Sequence, residues 1–295
     1  MGSGLRDVKR RIRSVQSTKK ITRAMELIAA SRVQKAQQRM RASRPYNDAI
    51  TAALSAVATN GGVGLAHDYL TAREVVRRAA VVVLTSDRGL AGPYSSSVLR
   101  QAEEIFAQLR NLGAEPVIYV AGRKGTAYFR FRQRPVAESW IGFSETPHYE
   151  NAKAIADKVL DAYTSGEVDE IYVVYTAFVS SLTQRATIKN LLPLEIEEGP
   201  STGVRPPAYD YEPDPASVLD QLLPRYIEVR LYMAMLEAAA SEQAARRRAM
   251  STATENATDL IDDLTRVYNR ARQAEITQEL MEVVGAAEAF SGSEK

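Results

Sequence analysis

The stretch SDRGLAG, residues 86–92, is where the types and spacing of residues come nearest to a chemical site. It follows an apolar run typical of a buried strand and precedes a predicted helix, which is the position of a phosphate-binding loop. It lacks both G-x-G-x-x-G and the Gly-Lys-Ser/Thr of a P-loop, and no acidic residue follows a second strand at the ribose-binding distance of roughly 20 residues. A tight structural turn, which could also meet a partner, is the better interpretation.

The remaining residues that could do chemistry are too scattered to form a site. His67 and His148 are the only histidines, they lie far apart in the sequence, and neither has clustered acids, so a metal site is not expected. The absence of cysteine excludes disulfides, thiol catalysis and zinc–thiolate sites. Asp262 and Asp263 are adjacent on a predicted helix and therefore point apart. We expect no catalytic residue, no cofactor and no metal.

Length and hydropathy bound the class of protein. The 295 residues are enough for one large domain or two modest ones. No run of about 18 apolar residues occurs, so a membrane span is not expected. The N-terminus lacks the apolar segment of a secretory signal, and with no cysteine a cytosolic compartment is the default expectation.

Charge is unevenly distributed between the two ends. Residues 5–44 contain 13 cations and two acids, whereas residues 236–290 contain ten acids and six arginines. The ends therefore attract one another weakly, and the excess positive charge is left for an acidic partner. The basic cluster at residues 9–13 could suggest nucleic acid or a membrane surface, but nothing aromatic interleaves it for base stacking. Nucleic-acid binding is therefore not expected.

The N-terminal segment, residues 5–59, is predicted to be helical. Its most telling part, KKITRAMELIAASRVQKAQ at residues 19–37, has no proline or glycine and only a thin apolar stripe, so it must bury that stripe against another helix. We expect Pro45 to kink or briefly break the helix, and NGGVG at residues 60–64 to end it. The apolar positions at helical spacing are Val8, Ile12 and Val15, then Ile21, Met25 and Ile28, then Val33, Ala36 and Met40.

The C-terminal segment carries a seven-residue apolar repeat, which predicts a left-handed coiled coil. Several seam residues are alanine, so the partner helix must approach closely. The two ends of the chain are predicted to pair with each other antiparallel, because the middle domain lies between them. Sixty helical residues would be about 90 Å long, which exceeds the roughly 40 Å of the middle domain. The predicted seam is Met250, Ala253, Ala257, Leu260, Leu264, Val267, Ala271 and Ala274.

The middle of the chain alternates strand and helix patterns. Strands are predicted at 79–84, 116–121, 136–141, 170–178 and 191–196, with helices at 98–112 and 146–163 and a kink at Pro224. The fold class is therefore α/β, with a Rossmann-like α/β/α domain on a largely parallel sheet and a long antiparallel two-helix coiled coil. We predict four parts: 1–60, the N-terminal helix; 75–197, the globular domain; 198–215, a loop; and 216–290, the C-terminal helix.

The last stretch, residues 276–290, is apolar around its whole circumference. Such an end on a soluble rod predicts a socket in another protein, with a frayed terminus as the alternative.

Five motifs, in order, resemble the gamma subunit family of the ATP synthase catalytic head. They are KKITRAMELIAASRVQKAQ, SDRGLAG, YEPDP, ASEQAAR and YNRARQAEITQELMEVV. The resemblance implies a central rotor: the coiled coil enters a ring of three alpha and three beta subunits. Its foot, with the epsilon subunit, sits on the membrane c-ring. It also implies a non-catalytic subunit, peripheral at the cytoplasmic face of a bacterial cell membrane.

The resemblance also implies contact residues. The contacts to the alpha/beta ring would be Lys19, Lys20, Arg23, Met25, Arg246, Arg272, Gln273 and Thr277. The contacts to the c-ring would be Tyr209, Tyr211 and Glu212. The sequence departs from the family at Ala91 and Pro93, where cysteine and glycine are frequent, and at Arg247 and Arg248, where apolar residues are more usual.

Two other classes of function stay open from the residues alone. One is a Rossmann-like nucleotide-binding enzyme with helical arms, which the missing catalytic cluster disfavours. The other is a basic helical architectural protein that binds nucleic acid.

Overall fold

The computed structural model describes residues 3–60, 67–194, 212 and 214–292. The chain forms two compact units: a larger one, Ala29–Arg246, and a smaller one that combines Met1–Ile28 with Arg247–Lys295. The helices are α1 (Ser3–Asn60), α2 (Tyr94–Asn111), α3 (Arg123–Phe131), α4 (Tyr149–Thr164) and α5 (Pro215–Gly292). The strands are β1 (Arg78–Leu84), β2 (Glu115–Ala121), β3 (Glu138–Trp140), β4 (Glu170–Phe178) and β5 (Gln184–Leu192).

The larger unit is built on one five-stranded sheet in the order β3-β2-β1-β4-β5. β1 pairs parallel with β2 and with β4, and β2 pairs parallel with β3, whereas β5 returns antiparallel beside β4. The predicted α/β class with a largely parallel sheet is confirmed. The strand predicted at 191–196 is wrong in extent, because β5 is a half-exposed edge strand with polar residues that an apolar-run criterion overlooks.

Helices cover both faces of the sheet. α2 and α3 pack on one face around Phe106 and Phe129, and α4 packs on the other around Ile155. The second face also buries the C-terminal part of α1 and the first part of α5, for which Leu54 and Leu231 are representative. Both long helices therefore belong to the core of the larger unit.

Proline interrupts neither long helix. α1 continues through Pro45, and α5 begins at Pro215 and continues through Pro224, so the predicted helix break at Pro45 did not occur. The helix predicted from residue 146 starts instead at Tyr149, where the Asn151 side-chain oxygen accepts a hydrogen bond from the His148 backbone N–H at 2.9 Å. Capping by Asn151 sets this start.

In the smaller unit the two ends of the chain pair, as predicted. The Thr254 hydroxyl lies 2.8 Å from two acceptors, the Thr22 hydroxyl of α1 and the Met250 carbonyl one turn back, and its single hydrogen can be donated to either. On α1, however, Ile21 and Ile28 are 60% and 53% exposed, while Thr22 and Ala29 are buried. The seam therefore passes through small and polar residues, and the larger apolar side chains of this stretch face outward.

The seam of α5 departs from the predicted one from Leu260 onward. Met250, Ala253, Ala257, Leu264 and Ala271 are buried or half-buried as predicted, but Leu260 and Val267 are about half exposed and Ala274 is exposed. A heptad can step by three or by four from each shared position, and the apolar character of residues 260, 267 and 274 favoured the wrong step. The positions that lie toward α1 are Met250, Thr254, Ala257, Ile261, Leu264, Tyr268, Ala271 and Glu275.

Beyond Glu275 the pairing ends. Every residue from 276 to 285 is exposed, including five large apolar ones. These are Ile276, Leu280, Met281, Val283 and Val284. Residues 276–285 thus form an apolar surface that the rest of the described chain leaves uncovered.

Candidate functional site

Three connections meet at the carboxyl end of the parallel strands, and Asp87 joins them. Its carboxylate accepts hydrogen bonds from the backbone N–H groups of Arg123, Gly142 and Ser144 at 2.8–3.0 Å. In return, the Ser144 hydroxyl accepts from the Asp87 backbone N–H at 2.9 Å. Both carboxylate oxygens of Asp87, the acid of SDRGLAG, therefore accept hydrogen bonds that hold the loop at residues 141–148 and the start of α3.

The rest of SDRGLAG docks on α5. Ala91 packs with Tyr94 and Ala245 in a small buried cluster, and the Tyr94 hydroxyl donates to the Ala238 carbonyl at 3.2 Å. Burial raises the pKa of Tyr94 well above its usual value, so the phenol stays protonated and able to donate. Leu90 adopts a left-handed φ of 62° and is exposed. SDRGLAG is a structural turn, as the sequence predicted.

α5 occupies the space where open α/β sheets bind ligands. A cavity at the ends of β1 and β2 is lined by Leu84, Gly122 and Phe143 and is covered by Met235 and Ala238 of α5. A Cβ on Gly122 would lie 2.2 Å from the Thr85 carbonyl oxygen, so the glycine serves close packing between neighbouring strand ends. Among the described residues, no group of three or more metal-ligating side chains occurs. Nothing in this arrangement favours the nucleotide-binding enzyme.

Next to this turn lies a nearly buried ionic network centred on Arg246. Its Nη2 donates to Glu242 Oε1 at 2.6 Å and to the Gly89 carbonyl at 3.3 Å. Its Nη1 lies 3.2 Å from Glu145 Oε1, an ion-pair distance without hydrogen-bond alignment. Burial raises the pKa of Glu242, and the Arg246 guanidinium only partly opposes that rise.

Three arginines from separate segments lie beside the Glu145 carboxylate. Arg32 of α1 donates to its Oε2 at 2.5 Å, Arg88 of the β1–α2 turn lies 3.7 Å from the same oxygen, and Arg246 of α5 faces Oε1. The Glu145 side chain is 16% exposed. One carboxylate therefore links both long helices to the loops of the sheet.

The predicted ring contacts on α1 lie in the smaller unit. Lys20 and Arg23 are exposed, while Lys19 and Met25 are half-buried beside the seam. Arg23 donates to Glu26 at 2.8 Å, one turn along the same helix. Ile21 lies between these cations and is also exposed, so this face is both basic and apolar.

The predicted contacts on α5 fall into two groups. Arg272, Gln273 and Thr277 are exposed, and the Thr277 hydroxyl donates to the Gln273 carbonyl at 2.9 Å. Arg246 is only 5% exposed and contacts its own chain, so it is not grouped with them. Of the predicted foot residues, Glu212 is exposed, and Tyr209 and Tyr211 lie outside the described residues.

Sequence reasoning missed the residues that tie the loops together. Glu145, Asp87 and Arg32 come from three distant segments, and nothing in their spacing indicates that they meet. Only the motifs SDRGLAG and ASEQAAR, which contribute Asp87, Glu242 and Arg246, signalled this region at all.

Comparison with known proteins identifies the family. The family model described as ATP synthase matches residues 4–290. A protein named ATP synthase gamma chain from Acidothermus cellulolyticus is 56% identical over 100% of both chains, and one from Parafrankia sp. is 54% identical over 99% of both. The chain belongs to the ATP synthase gamma chain family. Its members are subunits of a rotary ATPase.

Solved structures agree on the fold. The chain is similar to a chain of the Euglena gracilis mitochondrial ATP synthase OSCP/F1/c-ring structure, with a TM-score of 0.68 and 16% identity over 100% of this chain and 97% of that one. It is also similar to a chain of the Tetrahymena thermophila mitochondrial ATP synthase central stalk/c-ring structure, with a TM-score of 0.58 and 22% identity over 79% of this chain and 99% of that one. In the described part of the chain, no helix is long and apolar enough to cross a membrane.

Proposed function

We propose that the chain is the central rotor of a proton-translocating ATP synthase, coupling rotation of the membrane c-ring to the conformational cycle of three catalytic beta subunits. It makes and breaks no bonds itself. The observation that carries the proposal is full-length kinship with gamma chains together with a two-helix seam whose outward faces differ from one another.

The mechanism follows from symmetry. Two paired helices have no threefold axis, so inside a ring of three alpha and three beta subunits they present a different face to each beta subunit. Ile21 and Ile28, seven residues apart, give one stretch of α1 an exposed apolar face, while Asp259 and Asp263, four residues apart, give α5 an exposed acidic one. Different contacts bias otherwise identical catalytic sites toward different conformations, and rotation passes each bias to the next site.

The seam suits a shaft that must turn as one body. Small residues such as Ala257 and the Thr22–Thr254 hydrogen bond bring the helix backbones close together. Most other side chains along the pair are exposed and polar, which favours sliding past a housing without a fixed grip.

Specific contacts extend the proposal to named residues. Lys20 and Arg23, with Lys19 and Met25 beside them, would face an acidic segment of the beta subunits, because opposite charge favours such a contact at short range. Arg272, Gln273 and Thr277 would contact the ring from α5. For Arg246, the internal ion pairs support a role in holding α5 rather than an outward contact.

Both ends of the molecule would be held by partners. The exposed apolar residues 276–285 would enter an apolar socket at the top of the alpha/beta ring. Tyr209, Tyr211 and Glu212 would contact the c-ring, with the epsilon subunit beside them, at the cytoplasmic face of a bacterial membrane. The division into parts 1–60, 75–197, 198–215 and 216–290 belongs to the same proposal.

The test is a paired substitution on the exposed face of α5. Arg272→Ala combined with Gln273→Ala is expected to lower ATP hydrolysis by the assembled head, since two outward polar contacts are lost. Arg266→Ala is the matched control, because Arg266 is equally exposed but pairs with Asp263 on its own helix. An unchanged hydrolysis rate with normal assembly would count against the assignment.

A further inference from the structure

The Glu145 carboxylate, which lies on a loop of the sheet domain, contacts one arginine of α1 and one of α5. Each of its oxygens holds a different long helix: Oε2 takes Arg32 of α1 and Oε1 faces Arg246 of α5. The two arginines are 214 positions apart in the sequence and are linked here only through this acid.

The position of this junction along the chain is informative. Arg246 is the last residue of the larger unit, and Arg32 is the fourth residue of that unit, which begins at Ala29. Both helices are therefore tied to the sheet domain at the residues where each one leaves it.

The loop that carries Glu145 is itself fixed. Asp87 holds the backbone of Gly142 and Ser144, and Ser144 holds Asp87 in return. These charge-assisted bonds anchor the loop to the end of β1, in the centre of the sheet. The loop that carries Glu145 is thus hydrogen-bonded to the end of the central strand.

An ion pair also resists a different motion from apolar packing. Hydrophobic contact is non-directional, whereas the hydrogen bond from Arg32 to Glu145 has a preferred geometry, and Arg246 adds charge attraction to the same carboxylate at 3.2 Å. The low exposure of Glu145 and Arg246 also limits screening by salt. Such a contact is suited to hold a helix against sideways displacement.

We propose that Glu145 is a torque clamp: it positions both long helices at their exit from the sheet domain and transmits rotation between them and that domain. This deepens the proposed rotor function and rests on it. Glu145 is a positioning residue that acts through Arg32 and Arg246 of its own chain.

The test measures torsional stiffness in the reconstituted head. The chain has no cysteine, so Glu167→Cys on the exposed surface of the sheet domain gives a unique attachment point for a bead. The angular variance of the bead between steps reports the compliance of everything between the bead and the ring. Glu145→Ala is expected to widen this variance roughly twofold, because both helix ties are lost at once.

Two arginines on the same carboxylate supply the discriminating comparison. Arg32→Ala removes the tie to α1 and is expected to widen the variance, whereas Arg88→Ala removes only a 3.7 Å contact within the sheet domain and is expected to leave it unchanged. A merely local structural ion pair would give no such difference. Glu150→Gln, an exposed acid on α4, serves as the charge-matched control.

The outcomes distinguish failure of the torque clamp from failure of the rotor function. Rotation of the unsubstituted complex together with unchanged variance in Glu145→Ala would overturn the clamp alone. No rotation in the unsubstituted complex would overturn the rotor function, and the clamp with it. If Glu145→Ala does not assemble, Glu145→Gln keeps the side-chain shape without the charge, and normal stiffness in that variant would equally overturn the clamp.

Discussion

The two ends of α5 use one helix in opposite ways. Between Leu219 and Arg246 most residues are buried, including polar ones such as Ser241 and Gln243. From 276 to 285 every residue is exposed, although large apolar side chains are just as frequent there. The two stretches differ in burial because of what surrounds them, and not because of their composition.

The difference teaches which part of the helix is fixed by its own chain and which part is left for a partner. The first stretch is enclosed by the sheet and by α1, and its charges are paired inside the fold. The second has no cover from the described part of its own chain. A helix fixed at one end and uncovered at the other suits a subunit that carries motion from its body to a partner.

The largest effect should come from truncating matched leucines in the two stretches. Leu231→Ala is expected to lower the free energy of unfolding by about 2–5 kcal/mol, because Leu231 is fully buried and its loss leaves a cavity. Leu280→Ala should change it by less than about 0.5 kcal/mol, because Leu280 is exposed. Urea unfolding of both variants measures the two values. Equal losses would show that the two stretches of α5 contribute equally to stability.

A second, smaller effect is expected in the larger unit, at the carboxylate of Asp169. Asp169 is desolvated, which raises its pKa, but backbone N–H groups of Arg78 and Arg77 and the Arg73 guanidinium outweigh this, and its pKa is lowered. The unfolded state therefore binds the proton more readily. The stability that Asp169 contributes is present above its ordinary value of 3.8 and is lost as the pH falls through the lower folded value.

Asp169→Asn is accordingly expected to cost about 2 kcal/mol at pH 7, the usual range for hydrogen bonds to a charged group. Its acid unfolding curve should be flatter than that of the unsubstituted chain over the range in which Asp169 titrates. Denaturant unfolding at pH 7 and at pH 3 measures both values. A loss of equal size at the two pH values would show that charge is not the cause.

A smaller effect should test the seam register. Ala257→Asp is expected to destabilise the chain by about 1 kcal/mol, since it places a carboxylate in a buried seam position. Ala274→Asp should be nearly neutral, because residue 274 is exposed. The reverse ranking in thermal melts would restore the register predicted from the apolar repeat.

The smallest effect on the isolated chain should come from the uncovered end. Replacing Leu280 and Met281 together with serine is expected to leave the melting temperature unchanged, yet to weaken assembly with alpha and beta subunits, since both side chains are 60–70% exposed. Size-exclusion chromatography of the reconstituted mixture measures assembly. Equal assembly would argue against a socket.

The sequence predicted elements with strong patterns and missed those set by distant contacts. β4 was predicted at 170–178 because its apolar run is nearly continuous, and the pairing of the two ends followed from the heptads. α3 was not predicted, because its nine residues are too few for a helical period to stand out in the sequence. The seam of α1 passes through Thr22 and Ala29 rather than Ile21 and Ile28, because close helix packing selects small side chains over large ones.

For the candidate site too, the sequence predicted some features and missed those that depend on distant contacts. Exposure of Lys20, Arg23, Arg272 and Gln273 was consistent with their polar character, whereas burial of Arg246 was not evident from the sequence. Glu145 could not be found at all, since its role depends on Arg32 and Arg246 meeting in space. Motif resemblance identifies a family, but it does not report which charges are paired within the chain.

The central claim is rotation within a threefold ring, and one measurement tests it most directly. The chain is mixed with purified alpha and beta subunits, and a bead is attached to the sheet domain of the purified complex. The account predicts one copy of the chain per three alpha–beta pairs and unidirectional steps of one third of a turn when ATP is supplied. A complex of that composition that hydrolyses ATP while the bead shows no directed steps would contradict it.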